Sequence, residues 1–224
     1  MQTKWILPLA LAGGLALPAI ASLLPSDSAP NKVQEPKDSP KKKAKPLKIG
    51  SVLPKKLSLP DFDGKSHSFD DLRGKVVLVH FWSERCPAER HANPVFRAMQ
   101  ERYKGSKDVV MVGICSNQGE LGEQPKKGTD HSKAYKALRK KVAKEKLNHL
   151  MLIDHGNKVS DLFAARTTPH CFVIDKKGKL SYSGALDDDP RGKKGKDATN
   201  YLVDVASALL ADKRPEITTT KPYG

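Results

Sequence analysis

Four stretches of the chain are apolar without alternation: VVLVHFW over 76–82, VVMVGIC over 109–115, HLMLID over 149–154 and CFVID over 171–175. Short continuous apolar runs bounded by polar segments fit strands covered on both faces by helices. Helical patterns are predicted near Pro87–Tyr103, Ser132–Lys146, Lys158–Ala165 and Ala198–Ala211. In the second of these, Tyr135, Leu138 and Val142 share one face while lysines fill the other, which reads as solvated surface. Strands alternating with helices define an α/β class. Two polar stretches interrupt the pattern, NQGELGEQPKKGTD over 117–130 and DDDPRG over 187–192. Both are expected as loops near the sheet rim, where they can shape a substrate entrance. The three adjacent aspartates lack the alternating spacing of a calcium loop, so no metal site is assigned to them.

The candidate chemistry lies at the end of the first run. In FWSERCPAER (residues 81–90) a buried strand delivers Cys86 to the start of a helix, with Pro87 suited to the first helical turn. Backbone N–H groups and the helix dipole stabilise negative charge there, so a thiol at that point favours the thiolate. The plainer alternative is a small buried hydrophobe that precedes a helix.

GKVVLVHFWSERCPAERHANP resembles the strand, active-site turn and first helix of the thioredoxin superfamily, nearest to its envelope thiol–disulfide oxidoreductases and to the redoxin branch (alkyl hydroperoxide reductase/thiol-specific antioxidant). Thr167-Thr168-Pro169 followed by CFVID is similar to the superfamily's cis-proline loop, and Asp175–Lys179 to its hairpin turn before the strand LSYSG. The resemblance runs from about Leu57 to Leu210 and implies a thioredoxin-like fold, a central mixed β-sheet flanked by helices. It also implies a hairpin-like extension with its turn at Gly64 and a short helix beginning at Asp70. Two departures stand out. The second cysteine of a Cys-x-x-Cys site is replaced by Glu89, and of the peroxiredoxin pattern Pro-x-x-x-Thr/Ser-x-x-Cys only Ser83 is present, with Val79 at the proline position. The tail after Leu210 also resembles that of redoxin-domain proteins in which a cysteine follows the final glycine.

Charge and termini add a compartment. Lys4, an apolar stretch from Trp5 to Ile20 and Ala19-Ile20-Ala21 read as a signal peptide over 1–21. An uncleaved membrane anchor is the alternative. Residues 22–48 hold five prolines and seven lysines and few large apolar residues, which cannot build a core and read as a disordered tether. The redoxin domain is then expected over 49–211, with a tail over 212–224. Of the net charge of +15, the domain and tail carry +10. Without aromatic or Arg-rich readout beside that charge, nucleic acid is not an expected partner. The Lys41–Lys45 run could make a weak contact with an anionic surface. Three cysteines in an exported chain leave at least one unpaired.

Arg85 and Arg166 are the cations expected beside Cys86, where a guanidinium would stabilise a thiolate and orient a peroxide. Glu89 either repels the thiolate, accepts a proton through water, or complements the helix dipole. His91 is expected on the helix surface, and His80 as a buried, hydrogen-bonded histidine. Cys171 shares a strand side with Pro169 one step deeper, as a structural thiol or an auxiliary resolving one. His170 points the other way, and Cys115 is read as core. The leading reading is an exported thiol-dependent redox protein with Cys86 as its nucleophile, acting on peroxide or disulfide, aided by Ser83, Arg85, Glu89, Arg166 and Pro169. An external thiol or reductant protein would regenerate it, and no cofactor is called for. The competing reading is a non-catalytic binding module on the same fold. A copper site using Cys86 with His170 or Cys171 is a third.

Overall fold

A computed structural model describes residues 45–224. The expected signal peptide and nearly all of the expected tether lie outside the described residues. The four apolar runs form strands β3 (Val76–Phe81), β4 (Val109–Cys115), β5 (Leu150–Ile153) and β6 (His170–Ile174), joined by β7 (Leu180–Gly184). They make one mixed sheet in the order β5-β4-β3-β6-β7, parallel among β3, β4 and β5 and antiparallel from β3 through β6 to β7. A two-stranded hairpin, β1 (Ser58–Pro60) and β2 (Ser66–Ser68), precedes the sheet and leads into a 3-10 turn at Phe69–Leu72, capped by the Ser68 hydroxyl.

Helices α1 (Glu89–Arg102), α2 (Gln118–Leu121), α3 (Lys136–Lys144), α4 (Lys158–Phe163) and α5 (Tyr201–Leu210) complete the architecture. Alternation along β3 divides the core. Val76 and Leu78 join Ala92, Phe96, Met99, Leu202 and Val205 under α1 and α5. Val77, Val79 and Phe81 join Leu59, Phe69, Val159 and Phe163 on the other side. Both faces of β3 are thus dry, which explains its lack of polar alternation. No helix among the described residues is long and apolar enough to cross a membrane.

The structure departs from the expected boundaries where local backbone decides. Helix α3 starts at Lys136 rather than Ser132 because Tyr135 sits in the left-handed region at φ 55°, turning its ring onto Phe62. Helix α5 starts at Tyr201 rather than Ala198, where Asn200 Oδ1 accepts the Val203 N–H at 3.0 Å. The expected turn at Asp175–Lys179 forms, with Gly178 at φ 74° beside the Arg73 guanidinium. Residues 218–220 run back along the sheet: Ser183 donates its N–H to Thr218 O at 3.1 Å, and Thr220 donates to Ser183 O at 3.2 Å.

Candidate active site

β3 ends at Phe81, and Trp82, tied to β4 by its N–H to Ile114 O at 2.8 Å, starts the turn that carries Cys86. The Cys86 carbonyl accepts the Glu89 N–H at 3.2 Å, so the cysteine precedes the first turn of α1. What holds the turn is Glu120, on α2. Its carboxylate accepts the Ser83 hydroxyl at 2.5 Å, the Glu84 N–H at 2.8 Å and the Arg85 N–H at 3.2 Å. Asn117 caps α2 through Gly119 N–H and adds a 3.1 Å bond from its own amide to Glu120.

From the other side comes the loop before β6. The Thr168–Pro169 peptide is cis, and the half-buried Cys86 thiol donates to Thr168 O at 2.7 Å. A cavity of about 340 Å³ opens here, lined by Cys86, Ser116, Asn157, Arg166, Thr168 and Gly224 among others.

The expected site residues separate. Arg166 lines the cavity with Cys86. Arg85 does not: its side chain is 71% exposed and lies beside Glu84. Ser83 also lines the cavity, but its hydroxyl is donated to Glu120 and holds the turn. Glu89 neither complements the dipole at the surface nor faces solvent. It is 1% exposed and turned under α1 to within 3.2 Å of His80 Nε2. Burial raises the Glu89 carboxyl well above its ordinary range and lowers His80 to about 3, so burial favours the neutral form of each. The repulsion of a thiolate expected from Glu89 is weakened accordingly. His80 stacks on Phe96 at 3.8 Å, and its Nδ1 is buried without a partner, as are Glu89 Oε2 and both amide atoms of Asn93.

Cys171 pairs in register with His80 and is fully buried, which pushes its thiol far up. Burial likewise lifts Cys115 to about 12. His170 is turned away from Cys86. Its Nδ1 accepts the Arg166 N–H at 3.2 Å and its Nε2 meets Ser183 Oγ at 3.2 Å; burial first, then Arg166, lowers it to about 4. His91 reaches Asp187, with Nε2 3.3 Å from Oδ2. Asp188 and Asp189 accept backbone N–H groups of their own loop, and among the described residues no group of three or more His, Cys, Asp or Glu side chains is placed to hold a metal ion. Glu120, Thr168 and Gly224 were not foreseen as site residues. The Asn-x-x-Glu spacing at 117–120 is a helix-start signature that could have drawn attention to Glu120.

A mixed sheet of this order, with a cysteine ahead of α1 facing a cis-proline loop, defines a thioredoxin-like fold carrying a thiol site. The chain belongs to the AhpC/TSA family, whose model matches residues 49–183. It is 25% identical over 134 residues to the thiol-disulfide oxidoreductase ResA of Bacillus cereus, covering 60% of this chain and 68% of that protein. It is 31% identical over 141 residues to the chloroplastic peroxiredoxin Q of Triticum aestivum, covering 59% of this chain but only 57% of the relative. A crystal structure of a hypothetical protein from Sinorhizobium meliloti 1021 superposes with a TM-score of 0.63 at 23% identity, covering 80% of this chain and 94% of that one, which supports the fold. The family and these relatives support thiol redox chemistry as the general function of the family to which the chain belongs.

Proposed function

We propose that the protein is an exported thiol-dependent oxidoreductase in which Cys86 is the sole nucleophile, acting on a peroxide or a disulfide. The observation that carries this is the contrast among the three thiols. Cys86 is half-buried and opens onto a cavity, while Cys115 and Cys171 are sealed in the core with their thiols pushed up. In the peroxide reaction the Cys86 proton leaves its bond to Thr168 O, sulfur attacks the nearer peroxide oxygen and the O–O bond breaks. The thiol is oxidised to sulfenic acid, and the departing oxygen takes the proton as water or alcohol. With a disulfide, the same sulfur displaces one thiolate and forms a mixed disulfide. Arg166, on the cavity wall, supplies positive charge for the oxidant and the leaving group.

Regeneration falls to an external thiol or reductant protein, because Glu89 occupies the position of a second cysteine and Cys171 lies beneath α1 beside His80. The N-terminal signal pattern and the Pro/Lys-rich tether support a periplasmic or other extracytoplasmic site, the tether in weak contact with anionic surfaces. Timed alkylation with peptide mass analysis, paired with hydrogen peroxide and a sulfenic-acid trap, tests the reading. Cys86 should label first and form the only sulfenic acid, and Cys86→Ser should abolish it. Labelling of Cys115 or Cys171 at the same rate, or no Cys86 adduct with either oxidant, would overturn it in favour of a binding module.

A further inference from the structure

We propose that residues 217–224 form a strap that closes the cis-proline side of the Cys86 mouth to polypeptides, so that Cys86 selects small hydroperoxides over protein disulfides. This rests on the reading of Cys86 as the nucleophile and names its substrate class. The strap is docked at three places. Along β7, the two backbone bonds at Ser183 extend the sheet edge, and Thr220 Oγ1 accepts Ala185 N–H at 2.8 Å while meeting Tyr182 OH at 2.6 Å. Gly184 makes this approach feasible, since a Cβ there would lie 2.7 Å from both Thr220 N and Thr220 O. Further on, Tyr223 donates its hydroxyl to Asp187 Oδ1 at 2.6 Å. The Asp187 side chain is 2% exposed, and its other oxygen meets His91 on α1. A carboxylate that deeply buried needs its partners, which include the Asp189 N–H on Oδ1 at 3.0 Å, and through Tyr223 and His91 it ties the strap to α1.

Finally, Gly224 lies against Thr167 and Thr168, close enough that a Cβ on it would strike Thr168 O, the same atom that accepts the Cys86 thiol. Strap and thiol therefore meet at one carbonyl. Gly224, Arg166 and Thr167 also line a second cavity of about 770 Å³ on the far side, with Asp187, Tyr201 and Tyr223. Gly224 is the strap residue that lines both spaces, and with Arg166 and Thr167 it forms the wall they share. Attack on a protein disulfide aligns three sulfurs and brings the substrate's flanking backbone beside Cys86. The strap occupies one side of that approach. A hydroperoxide needs room for a few atoms, which the inner cavity provides.

The test compares the protein with a form lacking residues 221–224 and with Tyr223→Phe. Two oxidants are used, hydrogen peroxide and a peptide whose two cysteines form a disulfide, together with N-ethylmaleimide and a peptide-linked maleimide as redox-independent probes of size. Removing the segment should raise mixed-disulfide formation with the peptide by about tenfold, roughly 1.4 kcal/mol in barrier, while the peroxide rate stays within about threefold. Tyr223→Phe should move the same ratio in the same direction by less. Where the shortened form fails to fold, judged by circular dichroism and melting, Tyr223→Phe carries the criterion. Unchanged ratios for both oxidants and both maleimides in a folded variant would overturn the strap. A maleimide ratio that shifts while no form reacts with either oxidant would uphold the strap and fell the redox reading instead.

Discussion

Glu89→Gln should stabilise the protein at neutral pH and leave it unchanged in acid. Glu89 is buried beside His80, and burial raises its carboxyl well above the ordinary 4.5. In the fold it keeps its proton to higher pH than in the unfolded chain, which ionises it as pH rises through 4.5. The unfolded state thus binds fewer protons, and stability falls by about 1.4 kcal/mol per pH unit above that point. Gln is neutral at every pH and nearly isosteric, so the difference between variant and wild type should be near zero at pH 4.5 and grow in the variant's favour by up to about 1.4 kcal/mol per pH unit until the folded carboxyl itself ionises. For a domain of this size each kcal/mol is a rise in Tm of about 2–4 °C.

His80 has the opposite sign. Its folded value is lowered from 6.5 to about 3, so its contribution is full above 6.5 and lost as pH falls toward 3. In the wild type the two slopes oppose each other between 4.5 and 6.5, which flattens the contribution of this pair. The variant should instead lose stability throughout that window as pH falls, with buried His149, lowered to about 3 by burial, adding to the slope. Urea unfolding at half-unit pH intervals measures both curves. A variant–wild-type difference that is flat with pH, or negative at pH 7, would refute the raised Glu89 carboxyl.

Two further outcomes follow from the site. Glu120→Ala removes the acceptor of the Ser83 hydroxyl and the Glu84 and Arg85 N–H groups, and should cost about 2 kcal/mol because these bonds are charge-assisted but partly exposed. Hydrogen exchange at residues 84 and 85 should accelerate with it; unchanged protection there would remove Glu120 from its role in the turn. Glu89→Cys places a second thiol in the same turn as Cys86, whose carbonyl accepts the residue-89 N–H at 3.2 Å, and should create multiple turnover in a reduction assay with a small-molecule disulfide and a dithiol donor, where the wild type stops at the mixed disulfide. Brisk wild-type turnover that is lost on Cys171→Ser would instead make Cys171 a resolving cysteine.

The core strands were legible because β3, β4, β5 and β6 are short apolar runs bounded by polar segments, and a dry strand needs little else to announce itself. Cys86 was legible for a related reason: a strand, a Cys-Pro step and a helix pattern adjoin in sequence. The inward turn of Glu89 was within reach as well. Glu89, Ala92, Asn93, Phe96 and Met99 form one helical stripe, all buried, and the spacing places the acid on it. Reading Glu89 by its charge instead of its position in that stripe gave the wrong environment.

What the sequence alone determined is therefore local: the apolar runs, the turn that presents Cys86, the glycine and aspartate chemistry of the β6–β7 hairpin, and the absence of a second cysteine at position 89. Tertiary structure decided what those parts meet. Glu120 reaches the active-site turn from a segment that read as loop, His170 turns from the mouth to Ser183, and residues 217–224 return along β7 to end beside Thr168. Periodicity reports which way a side chain faces within its own element. It carries no information about which distant donor an acceptor will find once the chain is closed, because that partner is selected by packing of the whole core.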